Sequence, residues 1–250
     1  MSFSSVPSET RIVFTNEQVT GPPAREMIRL AGINESSIVL DNATGGGVAA
    51  LAAKAKYAAD INDSMLALAK SRGLNTLKAD QTNLPLDSAT FTHITNSFGV
   101  FFSADDNVVL KETHRLLVPG GIAGFTSWKS IGWWADVAPH MPLPLPSHPE
   151  SLFPAKWNEA DVIREKMTRA GFGGVDVTEY SFRPQVLVKE FAEATAVLVK
   201  TIARRVWSEE DFARYGPGIE GRIVDCIKDR YENTWDGVMT ALITVGRKSE

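Results

Sequence analysis

The sequence predicts an α/β fold of alternating strands and helices, and three observations carry that expectation. A short apolar run, Ile38 to Leu40, reads as a buried parallel strand ending at a carboxylate, Asp41. Three consecutive glycines, Gly45 to Gly47, follow it, and an alanine-rich helix over 48–55 comes next. Short strands and capped helices then alternate to about residue 128. Strand, glycine-rich turn and helix together form the layout that cradles a nucleotide, because glycine permits close backbone approach and positive φ. Gly45-Gly46-Gly47-Val48-Ala49-Ala50 also matches G-x-G-x-x-A, a fingerprint that is weak by itself.

The 250 residues fit one domain, 1–250, with 1–35 as an N-terminal helical segment. An apolar fraction of 44% and a charged fraction of 22% are ordinary for a globular chain. A formal net charge of −4 argues against a nucleic-acid partner, which needs a basic face to meet phosphates. The lone Cys226 excludes an internal disulfide and a cysteine-rich zinc site, and it suits a reducing compartment. No signal-peptide core and no run of membrane-spanning length is present, so the chain reads as cytoplasmic, without a membrane partner. Oligomeric state is left open.

Taken in order, Met1 to Thr10 is Ser/Pro-rich and reads as loose. Pro22 and Pro23 start a helix from Ala24 to Ala31 that Gly32 caps. After the opening strand and turn, Tyr57 to Asp60 reads as a second strand, and Asn62 as the N-cap of a helix through Arg72. Leu74 to Lys78 is a third strand, 91–96 a fourth, 105–117 a helix that Pro119 and two glycines stop, and Ile122 to Trp128 a fifth strand. Residues 129–157 change character: six of the 13 prolines fall between Pro139 and Pro154, which excludes a continuous helix or a central strand. Asn158 to Asp161 then cap a helix with apolar positions 162, 163, 167 and 170. Phe172 to Phe182 is strand-like, 187–207 an amphipathic helix, and Ile219, Ile223, Ile227 and Tyr231 share one face of another. Val238 to Val245 is the final strand.

Several of these segments resemble one family. Val39-Leu40-Asp41-Asn42-Ala43-Thr44-Gly45-Gly46-Gly47 resembles D-x-G-x-G-x-G, the first motif of class I S-adenosylmethionine-dependent methyltransferases. Ala43 stands at the first glycine, and Gly45 and Gly47 match the other two. Ala59-Asp60-Ile61-Asn62-Asp63-Ser64-Met65-Leu66 and Leu84-Pro85-Leu86-Asp87-Ser88-Ala89-Thr90-Phe91 resemble two further family segments, with Thr92 replacing a usual Asp. Glu112, Arg115 and Leu116-Leu117-Val118-Pro119-Gly120-Gly121 resemble E-x-x-R-v-L-x-P-G-G. The nearest branch looks like the quinone-biosynthesis methyltransferases. The resemblance implies a Rossmann-like, doubly wound, mostly parallel seven-stranded sheet with an antiparallel last strand. Residues 36–128 would be the cofactor-binding core, and 129–157 with the helical insertion 187–233 would form a lid on the substrate side.

The resemblance also implies roles for residues. The loop would wrap the methionine end of S-adenosylmethionine, with Asp41 orienting the loop and the ammonium group. Asp60 would take the ribose diol, for which an acceptor-only carboxylate is suited. Ile61 and Met65 would flank the adenine, Asp80 would accept from its amino group, and Gln81 would be a further cofactor-binding residue. Asn96 and Phe98, at the carboxyl end of the fourth strand, would face the methionine half and the acceptor. The product would be S-adenosylhomocysteine.

Methyl transfer from a sulfonium depends mainly on alignment, so no obligatory catalytic residue is expected. A base near neutral pKa helps a phenol or an ammonium acceptor. His140 and His148, in the proline-rich segment, are the candidates; His93 reads as core and His114 as solvated. No histidine pair has metal-ligand spacing, so no metal is expected. Phe14, Trp133 and Trp134 are candidate walls of an acceptor pocket, and Phe101 and Trp128 read as core. The resulting expectation is methylation, preferably at oxygen, of a small apolar or aromatic metabolite, with tailoring of a secondary metabolite as its setting. N- or S-methylation, and a scaffold that binds the cofactor without methylating, are the alternatives. An NAD-type dehydrogenase fits less well, since Asp60 follows Gly45 too closely and the Leu84-Pro85 and Pro119-Gly120-Gly121 segments have no place in one.

Overall fold

The computed structural model describes residues 17–146 and 156–249. They fall into two compact units. The larger holds 19–129, 156–180 and 241–249, and the smaller holds 17–18, 130–146 and 181–240. Most of the two segments expected to cover the substrate side, 129–157 and 187–233, thus belongs to the smaller unit.

In the larger unit, helix α1 (Gly21–Leu30) opens with prolines in its first turn, where a missing N–H costs nothing. Strand β1 (Val39–Asn42) is buried along its whole length and runs one residue beyond Asp41. Helix α2 (Val48–Ala53) follows, then β2 (Tyr57–Asp60), α3 (Asp63–Ser71) and β3 (Thr76–Lys78). Asn62 caps α3 as expected, its carbonyl accepting from the amides of Ser64 and Met65. Strand β4 (Phe91–Ser97) and helix α4 (Asp106–Leu116) lead into β5 (Leu117–Ser130). Pro119-Gly120-Gly121 sits inside β5, which is longer than expected, and a register irregularity faces it across Phe91 and His93. Helix α6 (Ala160–Arg169) follows a short helix of the smaller unit, α5 (Trp134–Val137). The cap falls within the expected segment Asn158 to Asp161: Glu159 is the N-cap, without a side-chain bond, and Asp161 pairs with Arg164.

Strands β6 (Phe172–Phe182) and β9 (Met239–Lys248) complete a seven-stranded sheet of order β3-β2-β1-β4-β5-β9-β6. Neighbours from β3 to β5 are parallel, and β9, inserted between β5 and β6, is the one antiparallel strand. The chain order reverses at β1, which lies between β2 and β4, and ligands of open α/β sheets bind outside the carboxyl ends at such a switch point. Leu40, Phe91, Ile94, Leu110, Leu116, Phe125, Ile163 and Met167 are among the fully buried residues of the core. Gly124 lets α1 approach the sheet, since a Cβ there would lie 2.9 Å from Met27 Cγ.

The E-x-x-R and Leu84-Pro85 segments prove to be one device. Arg115 forks onto both Glu112 oxygens at 2.7 and 2.8 Å and donates to the carbonyl oxygens of Leu84 and Leu86 and to Ser88. Glu112 in turn accepts from the Leu84 amide at 2.8 Å. Thr92, where the family usually has an Asp, ties β4 to the residue before β1, its hydroxyl accepting from the Ile38 amide. His93 is half-buried and bonded to the Ala31 carbonyl, and burial lowers its pKa. His114 is not solvated: it packs edge-on against Phe172, and burial lowers its pKa as well.

The smaller unit is helical. Strand β7 (Val186–Leu187) leads into helix α7 (Val188–Val206), followed by α8 (Glu209–Tyr215), α9 (Ile219–Tyr231) and β8 (Thr234–Trp235). Strands β7 and β8 pair antiparallel and bring Phe191 and Trp235 into a stack 4.4 Å apart. Periodicity located α7 and α9; the tiny hairpin and α8, capped by Ser208, lie below its reach. Two indoles fasten the proline-rich segment, Trp134 donating to the Pro146 carbonyl and Trp207 to that of Pro144. Among the described residues no helix is long and apolar enough to cross a membrane.

Candidate functional site

The site begins with Asp41, which is 1% exposed. It pairs in register with Thr95 on β4, so their side chains share a face of the sheet. Thr95 Oγ1 donates to Asp41 Oδ1 at 2.6 Å, and Thr44 Oγ1 donates to Oδ2 at 2.6 Å. Burial pushes the carboxyl up to about 6, against the opposing pull of the two hydroxyls. Through Thr44, Asp41 ties the first turn of the loop to the strands.

Three loop residues take positive φ: Ala43 (58°), Gly45 (53°) and Gly47 (85°). At Gly47 the reason is steric, since a Cβ would lie 2.3 Å from Leu74 Cδ1. At Gly45 a Cβ would meet nothing within 4 Å, which leaves bare backbone facing open space. Ala43 has the side chain that the family's glycine lacks, and Gly99 compensates: a Cβ on Gly99 would lie 2.5 Å from that of Ala43. The Thr44 amide donates to the Ala59 carbonyl at 2.8 Å, and Arg72 donates to the Gly46 carbonyl at 2.8 Å.

Asp60 closes the loop from β2. Its Oδ2 accepts from the Gly45 amide at 2.8 Å and its Oδ1 from the Asn62 amide at 2.9 Å. A carboxylate offers about four lone-pair positions, so two remain for a vicinal diol. Beside it Ile61 is 62% exposed, an apolar side chain at the rim that suits a planar base, and Met65 is half-buried. Asp80 holds the Thr82 amide and hydroxyl on Oδ1, and the Thr82 hydroxyl keeps its carboxyl below the usual range. Among the described residues no donor reaches its Oδ2.

A chain of amides lies along the ends of β1 and β4. Asn42 Nδ2 donates to the Gln81 carbonyl at 3.3 Å, and Asn96 Nδ2 donates to Gln81 Oε1 at 3.0 Å. The Gly99 amide donates to Asn96 Oδ1, and Gln81 Nε2 donates to the Gly99 carbonyl. This clamp holds the turn next to Phe98, whose φ is 58° and whose amide donates to Thr126. The Phe98 ring stacks on Trp128 at 4.2 Å and 24°. Positive φ in a bulky residue costs of order 1–3 kcal/mol and persists only where the surroundings over-determine it.

The larger unit therefore brings Asp41, Ala43, Gly45, Gly47, Asp60, Ile61, Met65, Asp80, Gln81, Asn96 and Phe98 to the carboxyl ends of its strands. Trp133 and Trp134 are buried in the interior of the smaller unit, Trp133 edge-on to Phe191. His140 is exposed there, and Phe14 and His148 lie outside the described residues. Sequence reasoning missed Asn42, Thr44, Arg72, Thr95 and Thr126. No local pattern marked them: Thr95, for one, meets Asp41 only through the register of β1 and β4.

The open backbone at Gly45, the spare acceptors of Asp60 and the unpaired Oδ2 of Asp80 fit an adenosine bearing a cationic tail. Comparison with known proteins agrees. Residues 40–125 match the methyltransferase domain family. The chain is 25% identical over 260 residues to methyltransferase tpcH of Aspergillus fumigatus, covering 90% of this chain and 91% of that protein. It is 26% identical to the acetylaranotin bis-thiomethyltransferase of Aspergillus terreus, covering 86% and 84%. It is 32% identical over 117 residues, 44% of this chain and 47% of the relative, to the ubiquinone/menaquinone C-methyltransferase UbiE of Rubrivivax gelatinosus. A Thermotoga maritima methyltransferase structure, described as a possible histamine N-methyltransferase, shares the fold with a TM-score of 0.55 at 17% identity, covering 95% of each chain.

Fold, motifs and relatives define a class I S-adenosylmethionine-dependent methyltransferase. Its cofactor is S-adenosylmethionine.

Proposed function

We propose that the protein methylates a small apolar or aromatic metabolite, at oxygen by preference, as a tailoring step in secondary metabolism. The observation that carries the reading is the Asp41–Asp60 arrangement, in which two carboxylates fix a glycine loop whose open side has the shape and polarity for the cofactor. When bound, S-adenosylmethionine supplies an electrophilic methyl group. The chain supplies position. Asp41 holds the loop, Asp60 takes the ribose hydroxyls, Ile61 and Met65 flank the adenine and Asp80 receives its amino group. Gln81 and Asn96 hold Phe98 in place, and the Phe98–Trp128 stack presents an aromatic surface that suits both a sulfonium and a flat acceptor. Alignment of this kind contributes roughly 7–11 kcal/mol in well-oriented systems, which suffices without a dedicated base.

Sulfur is the second acceptor atom to consider, because the relatives include a bis-thiomethyltransferase over most of the chain. The fungal relatives support the secondary-metabolite setting. The lone Cys226 supports a reducing compartment such as the cytoplasm. The test is incubation with S-adenosylmethionine and matched panels of phenols, thiols and amines, with methylated product followed by mass spectrometry. Turnover of phenols above thiols and amines is expected. Preference for thiols would move the assignment to sulfur, and cofactor binding without transfer to any panel would contradict the reading.

A further inference from the structure

Asn42 is absorbed by none of these roles. It follows Asp41 on β1 and precedes Ala43 of the loop, and it is 1% exposed. Its Nδ2 donates to the Gln81 carbonyl, and since a carbonyl only accepts, that bond fixes which end of the amide is oxygen. The other end, Oδ1, is buried and has no donor among the described residues. A buried acceptor left unpaired carries the desolvation cost of that group with nothing to offset it. The fold therefore gains nothing from this oxygen. Its chain neighbours Asp41 and Ala43, and its hydrogen-bond partner Gln81, the residue after Asp80, belong to the proposed cofactor edge.

We infer that Asn42 Oδ1 accepts a hydrogen bond from an N–H or O–H donor of the bound cofactor, making Asn42 a further cofactor-binding residue. The donor lies either in the adenosine half or on the amino-acid ammonium. The inference rests on the methyltransferase reading, and its failure can be told apart from that reading's failure.

The test is calorimetric titration of the wild-type protein and Asn42→Leu with S-adenosylhomocysteine, alongside thermal unfolding of both without ligand. Expected is a loss of about tenfold or more in affinity, the order that one hydrogen bond to a buried acceptor supports, with an unliganded Tm lowered by no more than loss of the bond to the Gln81 carbonyl accounts for. Thr113→Val serves as the control, since Thr113 Oγ1 is also buried and unpaired but sits on α4; it should leave affinity unchanged. Repeating the titration with 5′-methylthioadenosine, which lacks the amino-acid end, locates the donor: the loss persists if the donor is in the adenosine half and vanishes if it is the ammonium. An affinity within twofold of wild type would overturn the inference, as would a fall in unliganded Tm large enough to explain weaker binding. If Asn42→Leu does not fold, selective 13C labelling of asparagine side-chain carbonyls in the unmutated protein decides instead. The Asn42 signal should move at saturation with S-adenosylhomocysteine, and a signal that stays in place would overturn the inference. Failure of the wild-type protein to bind S-adenosylhomocysteine would instead strike the methyltransferase reading itself.

Discussion

The two units solve opposite problems with their buried groups. At the carboxyl ends of its strands the larger unit buries polarity: Asp41, Asn42, Thr44, Thr95, Asn96 and Thr126, most of them bonded to each other or to a strained loop. The smaller unit buries aromatic rings, with Trp133, Phe191 and Trp235 in mutual contact and indole N–H groups fastening a proline-rich segment. Packing drives the second arrangement, because large rings remove much apolar area from water at low entropic cost, and it outweighs a Trp235 indole N–H that has no partner among the described residues. It does not account for the first, in which hydrogen bonds must offset the burial of polar groups, the Asn42 oxygen has no donor among the described residues, and positive φ at Ala43 and Phe98 adds strain. The contrast supports the proposal that the chemistry belongs to the larger unit.

The largest effect that would break this contrast comes from the smaller unit. A Cβ at Gly132 would lie 1.8 Å from the Val238 carbonyl oxygen, a backbone atom that cannot step aside. Gly132→Ala should destabilise the protein by about 3–4 kcal/mol, seen as a lowered denaturation midpoint. Its affinity for S-adenosylhomocysteine below that midpoint should stay within about threefold. A large loss of affinity in the folded variant would show that the larger unit does not bind the cofactor independently.

Next comes the pH dependence of Asp41. Its carboxyl is raised in the folded state from an ordinary 3.8 to about 6. Below the lower value both states are protonated. Between the two the unfolded chain ionises first and stability falls as pH rises, and above about 6 the cost is constant. The shift of about two units corresponds to on the order of 3 kcal/mol. Asp41→Asn should remove that slope, so its stability relative to wild type should grow from pH 4 to pH 6.5 in urea titrations. A parallel pair of curves would contradict the burial argument.

Asp60→Ala comes third, removing the tie to the Gly45 amide and the acceptors proposed for the ribose. It should weaken S-adenosylhomocysteine by on the order of 100-fold, since hydrogen bonds to charged groups are worth about 1.5–3 kcal/mol each. An unchanged calorimetric affinity would remove the ribose assignment. Smallest is Ala43→Gly. It relieves the left-handed strain but adds freedom to the unfolded chain, so the two effects nearly offset and stability should change by less than about 1 kcal/mol. A larger loss would mean that the packing of the Ala43 side chain against Gly99 holds the loop.

The same contrast explains what the sequence revealed. The glycine loop, Asp60, Asp80 and the Glu112–Arg115 device were legible because each depends on a residue type at a fixed local spacing. Arg115 reaching back to Leu84 and Ser88 explains why two separate segments occur together. Thr95 and Asn42 were not legible, since their meaning arises from register between strands distant in sequence. In the smaller unit, heptad-like spacing found α7 and α9, but the roles of Trp133 and Trp134 depend on Phe191 and Pro146, which no local pattern connects to them. The expectation of pocket walls there rested on aromatic content alone, and the structure adds that both rings are buried.

Calorimetric titration of the purified protein with S-adenosylhomocysteine and with NAD tests the central claim most directly. The structure predicts micromolar binding of S-adenosylhomocysteine and none of NAD, because Asp60 is already fixed on the Gly45 amide beside an open glycine loop. Binding of NAD alone, or of neither, would contradict it.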